Sequence, residues 1–379
     1  MSEQPVAARS SETAGADQQP QPGVAQHAHR KDEHVALAVS LHDPERRTGY
    51  DDVAFMHHAL PGTSIDAVDT RTEVLGTTWG LPLYINAMTG GTPKTAAINA
   101  DLARAAAGAG IAIATGSQHV ALRDPELAET FSVIRRNAPD AFVLANVGPT
   151  VSPELARRAV EMLDANALQI HLNVAQEVVM PEGDRDFSSW SDAVAAIVEA
   201  VDVPVVVKEV GFGLSRRTVD EVIGLGVSAV DVAGNGGTDF VAIENSRRPG
   251  MEYSYLTGWG QSAVLCLLES AAGPDAVDVP VLASGGVRTP LDVVRALSLG
   301  ARAAGASGHF LRTLVGGGPE ALEAELDSWT SQLRSLMALV GASDVPGLQR
   351  TDVLVTGQTA ERARLLGIDL ERLALRSRG

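Results

Sequence analysis

The sequence predicts an α/β protein built on a TIM-type (β/α)8 barrel with helical extensions at both ends, and three observations predict it. From residue 81 onward, apolar runs rich in β-branched residues recur eight times, each closing on Gly, Asn, Ser or Lys. A segment of helical period follows each run. The runs are apolar throughout rather than alternating, which implies burial on both faces, as in a parallel sheet covered by helices. Eight such units over somewhat more than ~200 residues match the size of a barrel, with an open doubly wound sheet as the alternative.

The runs are Leu81 to Met88, Gly110 to Ser117, Ala141 to Gly148, Ala167 to Asn173, Pro204 to Gly211, Ala229 to Gly237, Val279 to Gly286 and Ala303 to Gly308. Helices are expected over Ala96 to Ala107, Pro153 to Asp164, Ser191 to Ala200, Thr218 to Leu225, Gln261 to Ala272 and Pro290 to Leu299. Several begin with Ser, Thr, Asp or Pro, residues that satisfy or dispense with the free N–H groups of a first turn. Residues 30 to 80 precede the barrel and Pro319 to Gly379 follow it, with a long helix over Pro319 to Val340; both flanks should pack on the barrel. Leu333, Leu336, Met337 and Val340 form that helix's core stripe. Residues 1 to 29 are rich in Gln, Ala, Ser, Pro and Gly without an apolar signal region, and read as a disordered tail before a single domain over 30 to 375.

The chain of 379 residues is 45% hydrophobic, contains 37 glycines and carries a formal charge of −17. Such a surface repels nucleic acid and anionic membrane, so a phosphate-bearing ligand must meet a local positive exception. No run of 18 apolar residues suggests a membrane span. One cysteine, Cys266, excludes an internal disulfide and a cysteine zinc cluster, and suits the reducing cytoplasm. It sits in the apolar run Ala263 to Leu268 and reads as core rather than as a nucleophile.

In a barrel the βα loops build the active face, so the residues closing each run are the candidate functional set. The seventh run closes on Ser284-Gly285-Gly286-Val287-Arg288 and the eighth on Gly305-Ala306-Ser307-Gly308. Glycines in those two loops let backbone N–H groups approach an anion, the usual phosphate position of this fold. The first three close on Met88-Thr89-Gly90-Gly91, Gly116-Ser117-Gln118 and Asn146-Val147-Gly148, small hydroxyl and amide residues suited to a planar heterocycle. In the fifth, Lys208 and Glu209 face opposite sides, and an inward Lys208 needs an anionic partner such as a reduced flavin or a structural carboxylate. In the fourth, Gln169, His171 and Asn173 alternate with Ile170 and Leu172, which puts three polar side chains on one face. Gln176, Glu177 and Glu182 follow, an oxygen-rich group that suits Mg2+. His57, His58 and His309 have no metal-ligand spacing and read as structural.

Taken in order, these motifs resemble the type 2, FMN-dependent isopentenyl-diphosphate isomerase family from Arg30 to about residue 375. The resemblance rests on Arg30-Lys31 with His34, Asp51-Asp52-Val53, Met88 to Gly91, Gly116-Ser117-Gln118, His171-Leu172-Asn173 and Gln176-Glu177. Later come Lys208 to Gly211, Ala233 to Thr238 with Glu244, and Ser284 to Arg288. It implies FMN contacts at Met88, Thr89, Gly90, Ser117, Asn146, Lys208, Thr238, Gly286, Val287, Arg288, Ala306 and Ser307. It implies a prenyl diphosphate held by Arg30, Lys31, His34, Ser117, Gln118, His119 and Gln176, with Mg2+ on Glu177. Gln176, His171, Asn173 and Glu244 would form the catalytic group, reduced FMN would move the proton, and NADPH would only prime the flavin. The family also implies a homotetramer.

Two positions depart from the family, which commonly has arginine at the place of His119 and tryptophan at that of Phe240. Loss of a permanent guanidinium weakens diphosphate binding, and the smaller ring widens the alkene pocket, so another prenyl diphosphate is the alternative substrate. An FMN-dependent 2-hydroxy-acid oxidase would need a His base and an Arg clamp after the sixth run, where this chain has Gly234 to Asp239.

Overall fold

A computed structural model describes residues 24–41, 43, 45–272 and 276–378, with side chains from Lys31 onward. Three short strands precede the barrel: β1 (Val53–Phe55), β2 (Thr72–Val74) and β3 (Thr77–Trp79). The barrel strands are β4 (Leu83–Ile85), β5 (Ala112–Ala114), β6 (Val143–Val147), β7 (Ala167–His171), β8 (Val205–Lys208), β9 (Ala229–Asp231), β10 (Val281–Ser284) and β11 (Ala303–Ala306). All eight lie within the expected runs, pair in parallel in chain order and close where β11 pairs with β4. A last strand, β12 (Val353–Val355), pairs antiparallel with β1.

Strand periodicity divides the core in two. One parity, Leu83, Ile85, Ile113, Val143, Ala145, Leu168, Ile170, Val205, Val207, Val230, Val281 and Ala283, packs outward under the helices. The other, Tyr84, Ala112, Ala114, Leu144, Ala167, Val206, Ala229, Leu282 and Ala303, fills the lumen together with Val74 and Trp79 of the β2–β3 hairpin. That hairpin thus plugs the N-terminal end of the barrel. Continued one step toward the strand C-termini, the lumenal parity meets Asn86, Gly116, Asn146, Gln169, Lys208, Asp231, Ser284 and Gly305. Apolar packing gives way to a polar layer, and that layer is the floor of the site.

The helices expected from Pro153 and Pro290 start there, whereas those expected from Ala96, Ser191, Thr218 and Gln261 start at Pro93, Trp190, Arg216 and Ala263. Thr92, Ser152, Ser215, Ser262 and Thr289 accept from backbone N–H groups of the first turns that follow them, with Pro93, Pro153 and Pro290 at the first positions. The long C-terminal helix runs Gly308–Leu339 with a break at Gly318 (φ 81°), so the segment expected from Pro319 is its second part. Leu333 and Met337 are buried there as core. The first helix spans Val24–Ser40, so the boundary read at residue 29 falls inside a helix, and residues 1–23 lie outside the described residues. Among the described residues, no helix is long and apolar enough to cross a membrane.

Candidate active site

A cavity of about 390 Å3 opens at the C-terminal ends of the barrel strands. Its floor is the polar layer. Asn146 Nδ2 donates to Gln169 Oε1 at 3.2 Å, and Asn146 Oδ1 lies 2.8 Å from His171 Nδ1. By register His171 stands beside Lys208, and Lys208 beside Asp231. Lys208 Nζ donates to the Glu209 carbonyl at 2.6 Å. Glu209 points away, its carboxylate taking the N–H groups of Val210 (2.6 Å) and Phe212 (2.5 Å), so the two neighbours do face opposite sides. Burial pushes the Glu209 carboxyl up to about 7 despite those N–H groups.

Asp231 completes the floor. Its carboxylate accepts from Tyr84 OH (2.7 Å), Asn86 Nδ2 (3.0 Å), Ser284 Oγ (2.8 Å) and the Ala233 N–H (3.1 Å). Sequence reasoning missed this group, although a charged residue of lumenal parity within an apolar strand is its signal. Asp231→Ala would strand four buried donors, three of them on side chains, and the expected loss of unfolding free energy is about 3 kcal/mol. Urea denaturation measures it; an unchanged midpoint would show that the donors re-pair.

The catalytic candidates meet above the floor. The short helix Val174–Val179 follows β7 and carries Gln176 and Glu177; the helix Phe240–Ser246, capped by Asp239, carries Glu244. Gln176 Nε2 donates to Glu244 Oε1 at 2.8 Å, and its Oε1 accepts from Asn173 Nδ2 at 3.3 Å. His34 Nε2 lies 3.0 Å from Glu244 Oε1, and Arg247 grips the other oxygen at 2.5 Å. Burial would raise the Glu244 carboxyl, but His34, Gln176 and Arg247 outweigh it and hold it at about 2. Burial, with the charges of Lys208, Lys31 and His119, lowers His171 to about 3, so its imidazole is neutral.

Lys31 and His34 occupy one face of the first helix, over the cavity, with Lys31 Nζ 3.5 Å from the Ser117 carbonyl. Arg30's side chain lies outside the described residues. Met88, Ser117, His119, Asn146, Thr238, Gly286, Val287, Arg288, Ala306 and Ser307 line the cavity. Five of the expected site residues lie away from the cavity surface or are tied elsewhere. Gln118 is fully buried with its amide fixed between the Asn146 N–H (2.9 Å) and the Ala159 carbonyl (2.8 Å), so it cannot turn to a substrate. Arg288 lines the cavity, but its guanidinium fastens the N-terminal flank through the Arg46 carbonyl (2.9 Å) and Asp51 (2.8 Å). Glu244 is fully buried and reaches the cavity only through Gln176 and His34. Thr89 and Gly90 lie beneath the wall rather than on it, Gly90 against Phe131.

The cavity fits a flat ring bearing a phosphate. Gln169 Nε2, at the floor, is buried without a partner among the described residues. Gly285 (φ 87°) and Gly286 (φ 81°) adopt left-handed conformations, and a Cβ at Gly286 would come within 3.1 Å of Thr48. Ser307, at the start of the helix Gly308–Leu339, makes no side-chain cap and lines the same cavity, which leaves first-turn N–H groups of that helix without a side-chain partner from it. For a divalent ion, no group of three or more His, Cys, Asp or Glu exists among the described residues. Glu177 lines the rim, half-buried, with Glu182 and Asp184, its oxygens oriented by Asn173 Nδ2 (2.7 Å) and the Asp184 N–H (2.7 Å).

A closed parallel barrel with a polar floor and glycine loops after β10 and β11 is the architecture of FMN-binding barrel enzymes. The family of FMN-dependent dehydrogenases matches residues 123–355. Solved structures agree on the fold: a mandelate oxidase carrying a monooxide FMN adduct is 18% identical, with a TM-score of 0.56 over 86% of this chain and 92% of that one. The (S)-mandelate dehydrogenase of Pseudomonas putida gives 0.55 at 18% identity, covering 84% and 89%. Sequence similarity is narrower. The isopentenyl-diphosphate delta-isomerase of Kitasatospora griseola is 55% identical over 92% of this chain and 95% of its own. Its counterpart from Latilactobacillus sakei is 49% identical over 87% and 93%. The chain therefore belongs to the isopentenyl-diphosphate delta-isomerase family, with an FMN-type barrel as its framework.

Proposed function

We propose that this chain interconverts isopentenyl and dimethylallyl diphosphate, with reduced FMN, Mg2+ and NADPH as cofactors, as a cytoplasmic homotetramer. The observation that carries the reading is the Gln176–Glu244–His34 group, locked by hydrogen bonding and close contact over a floor that carries Lys208. Such an arrangement binds a polar head at the rim and keeps an apolar tail over the ring, beside Phe240. When bound, reduced FMN supplies a site that can give and take a proton at an alkene carbon with no net redox change. Lys208, Gln169, Asn146, Thr238, Gly286 and Ser307 would hold it.

The chain's own residues then do the positioning. Lys208 offers a cation to charge on the ring. Glu244 stays ionised at any working pH and fixes the Gln176 amide, so that Gln176 faces the alkene in one orientation. Neutral His171, its Nδ1 turned to Asn146, presents Nε2 as an acceptor rather than a general acid. Glu177 suits Mg2+ because that ion keeps waters and completes its shell with substrate phosphate instead of a protein cage. Arg30-Lys31 is the local positive exception that the net charge of −17 demanded, and Lys31 lines the cavity.

The test is anaerobic incubation of the FMN-loaded, NADPH-reduced protein with Mg2+ and isopentenyl diphosphate in D2O, followed by NMR. Deuterated dimethylallyl diphosphate is the expected product. Reducible flavin without product would sink the reading and direct attention to a longer prenyl diphosphate.

A further inference from the structure

The sequence leaves a gap at the diphosphate end of the cavity, where a permanent guanidinium is absent at His119. The structure supplies one a turn later. His119 and Arg123 open and close the short helix His119–Arg123 that follows β5, four residues apart and hence on one face. The intervening Val120, Ala121 and Leu122 are buried, which turns that face toward the cavity mouth, and both His119 and Arg123 line it. Arg123 is exposed and forms no ion pair or hydrogen bond among the described residues, although the chain is rich in carboxylates. The other arginine lining the cavity, Arg288, is committed to Asp51 and the Arg46 carbonyl.

We infer that Arg123 is a substrate-binding residue, closing on the terminal phosphate of an organic diphosphate whose inner end meets Lys31, Ser117 and His119. The chemistry fits: a guanidinium presents paired donors that match two phosphate oxygens and keeps its charge at every working pH, which a histidine does not. An unpaired, solvated arginine also costs little to desolvate partly at a rim, whereas one already bonded would have to give up a carboxylate. The inference rests on the isomerase reading for the identity of the diphosphate, but not for its binding. A nicotinamide dinucleotide offers phosphates of the same chemistry, so the experiment must separate the two.

The measurement is calorimetric titration of the FMN-loaded protein, in Mg2+, with inorganic diphosphate, for the unaltered chain, Arg123→Gln and Arg123→Lys. The expected result is roughly tenfold weaker binding in the glutamine variant, partly restored by lysine. The rate at which NADPH reduces the bound flavin should stay the same in all three. With isopentenyl diphosphate as substrate, KM should rise with the same factor while kcat holds. Equal diphosphate affinity in the glutamine variant, absence of binding by the unaltered chain, or a defect confined to NADPH each overturns the inference. Diphosphate binding that depends on Arg123 in a chain that turns over no isopentenyl diphosphate would instead sink the isomerase reading and leave this one standing.

Discussion

Glu244→Gln should lower kcat by about 100-fold or more while FMN stays bound and KM changes little. The substitution keeps the shape of the side chain but removes the charge and half its acceptor capacity. Gln176 Nε2 and His34 Nε2 then face an amide that can present an N–H instead of an oxygen, and the Gln176 amide loses its fixed orientation. The fold should survive, because Arg247 keeps its second carboxylate, Glu182, at 3.0 Å. A purely structural Glu244 would show a lower melting temperature with kcat intact, and that outcome would remove Glu244 and Gln176 from the mechanism. The pH dependence has a definite sign. A carboxyl held at about 2 contributes stability that is fully present above its ordinary value, roughly 4.3, and is lost as pH falls through 2. The unaltered protein should therefore gain this term over the glutamine variant as pH rises through that window, with a constant difference above about 5.

Much of this molecule was legible in its sequence because the barrel repeats a simple physical unit. Eight apolar runs ending in small or polar residues located all eight strands, and prolines at first helical positions located the starts at Pro153 and Pro290. Alternation within one strand placed Gln169 and His171 in the lumen, and the same rule separated Lys208 from Glu209. What escaped depended on contacts between distant segments. The β1–β12 pairing joins residues 53–55 to 353–355, and no local pattern announces a partner some three hundred residues away. The commitment of Arg288 to Asp51 has the same origin, since a loop arginine beside two glycines looks like a phosphate ligand until a flank folds over it. Gln118 illustrates the converse error. One position after Ser117 it shares a motif with the cavity, yet a change of backbone direction at the start of the helix His119–Arg123 sends it into the packing between β6 and the helix Pro153–Leu163. Asp231 was open to inference from its lumenal parity, but the glycine motif Gly234 to Gly237 that closes the same run drew attention to the loop instead.

Lys208→Met should lower the midpoint potential of the bound flavin and reduce turnover by about 100-fold. Methionine fills a similar volume, so the packing of Val206 and Ala229 beneath it is retained while the charge is removed. The lysine is buried, with its pKa pushed down by that burial and pushed back up by Asp231 and Glu209. Asp231, already satisfied by Tyr84, Asn86 and Ser284, can tolerate losing the cation, so the variant should fold. Charge that gathers on a reduced ring then lies over an apolar thioether rather than an ammonium, and the reduced form is favoured less. In a two-electron couple, each tenfold loss of that preference appears as roughly 30 mV, which spectroelectrochemistry resolves. A second readout follows from geometry alone: Lys208 stands beside His171 and is one of the charges that keep its imidazole neutral, so the His171 pKa should rise in the variant. An unchanged flavin potential together with a raised His171 would place Lys208 in the floor but away from the ring, and the mechanism would then have to find its cation elsewhere.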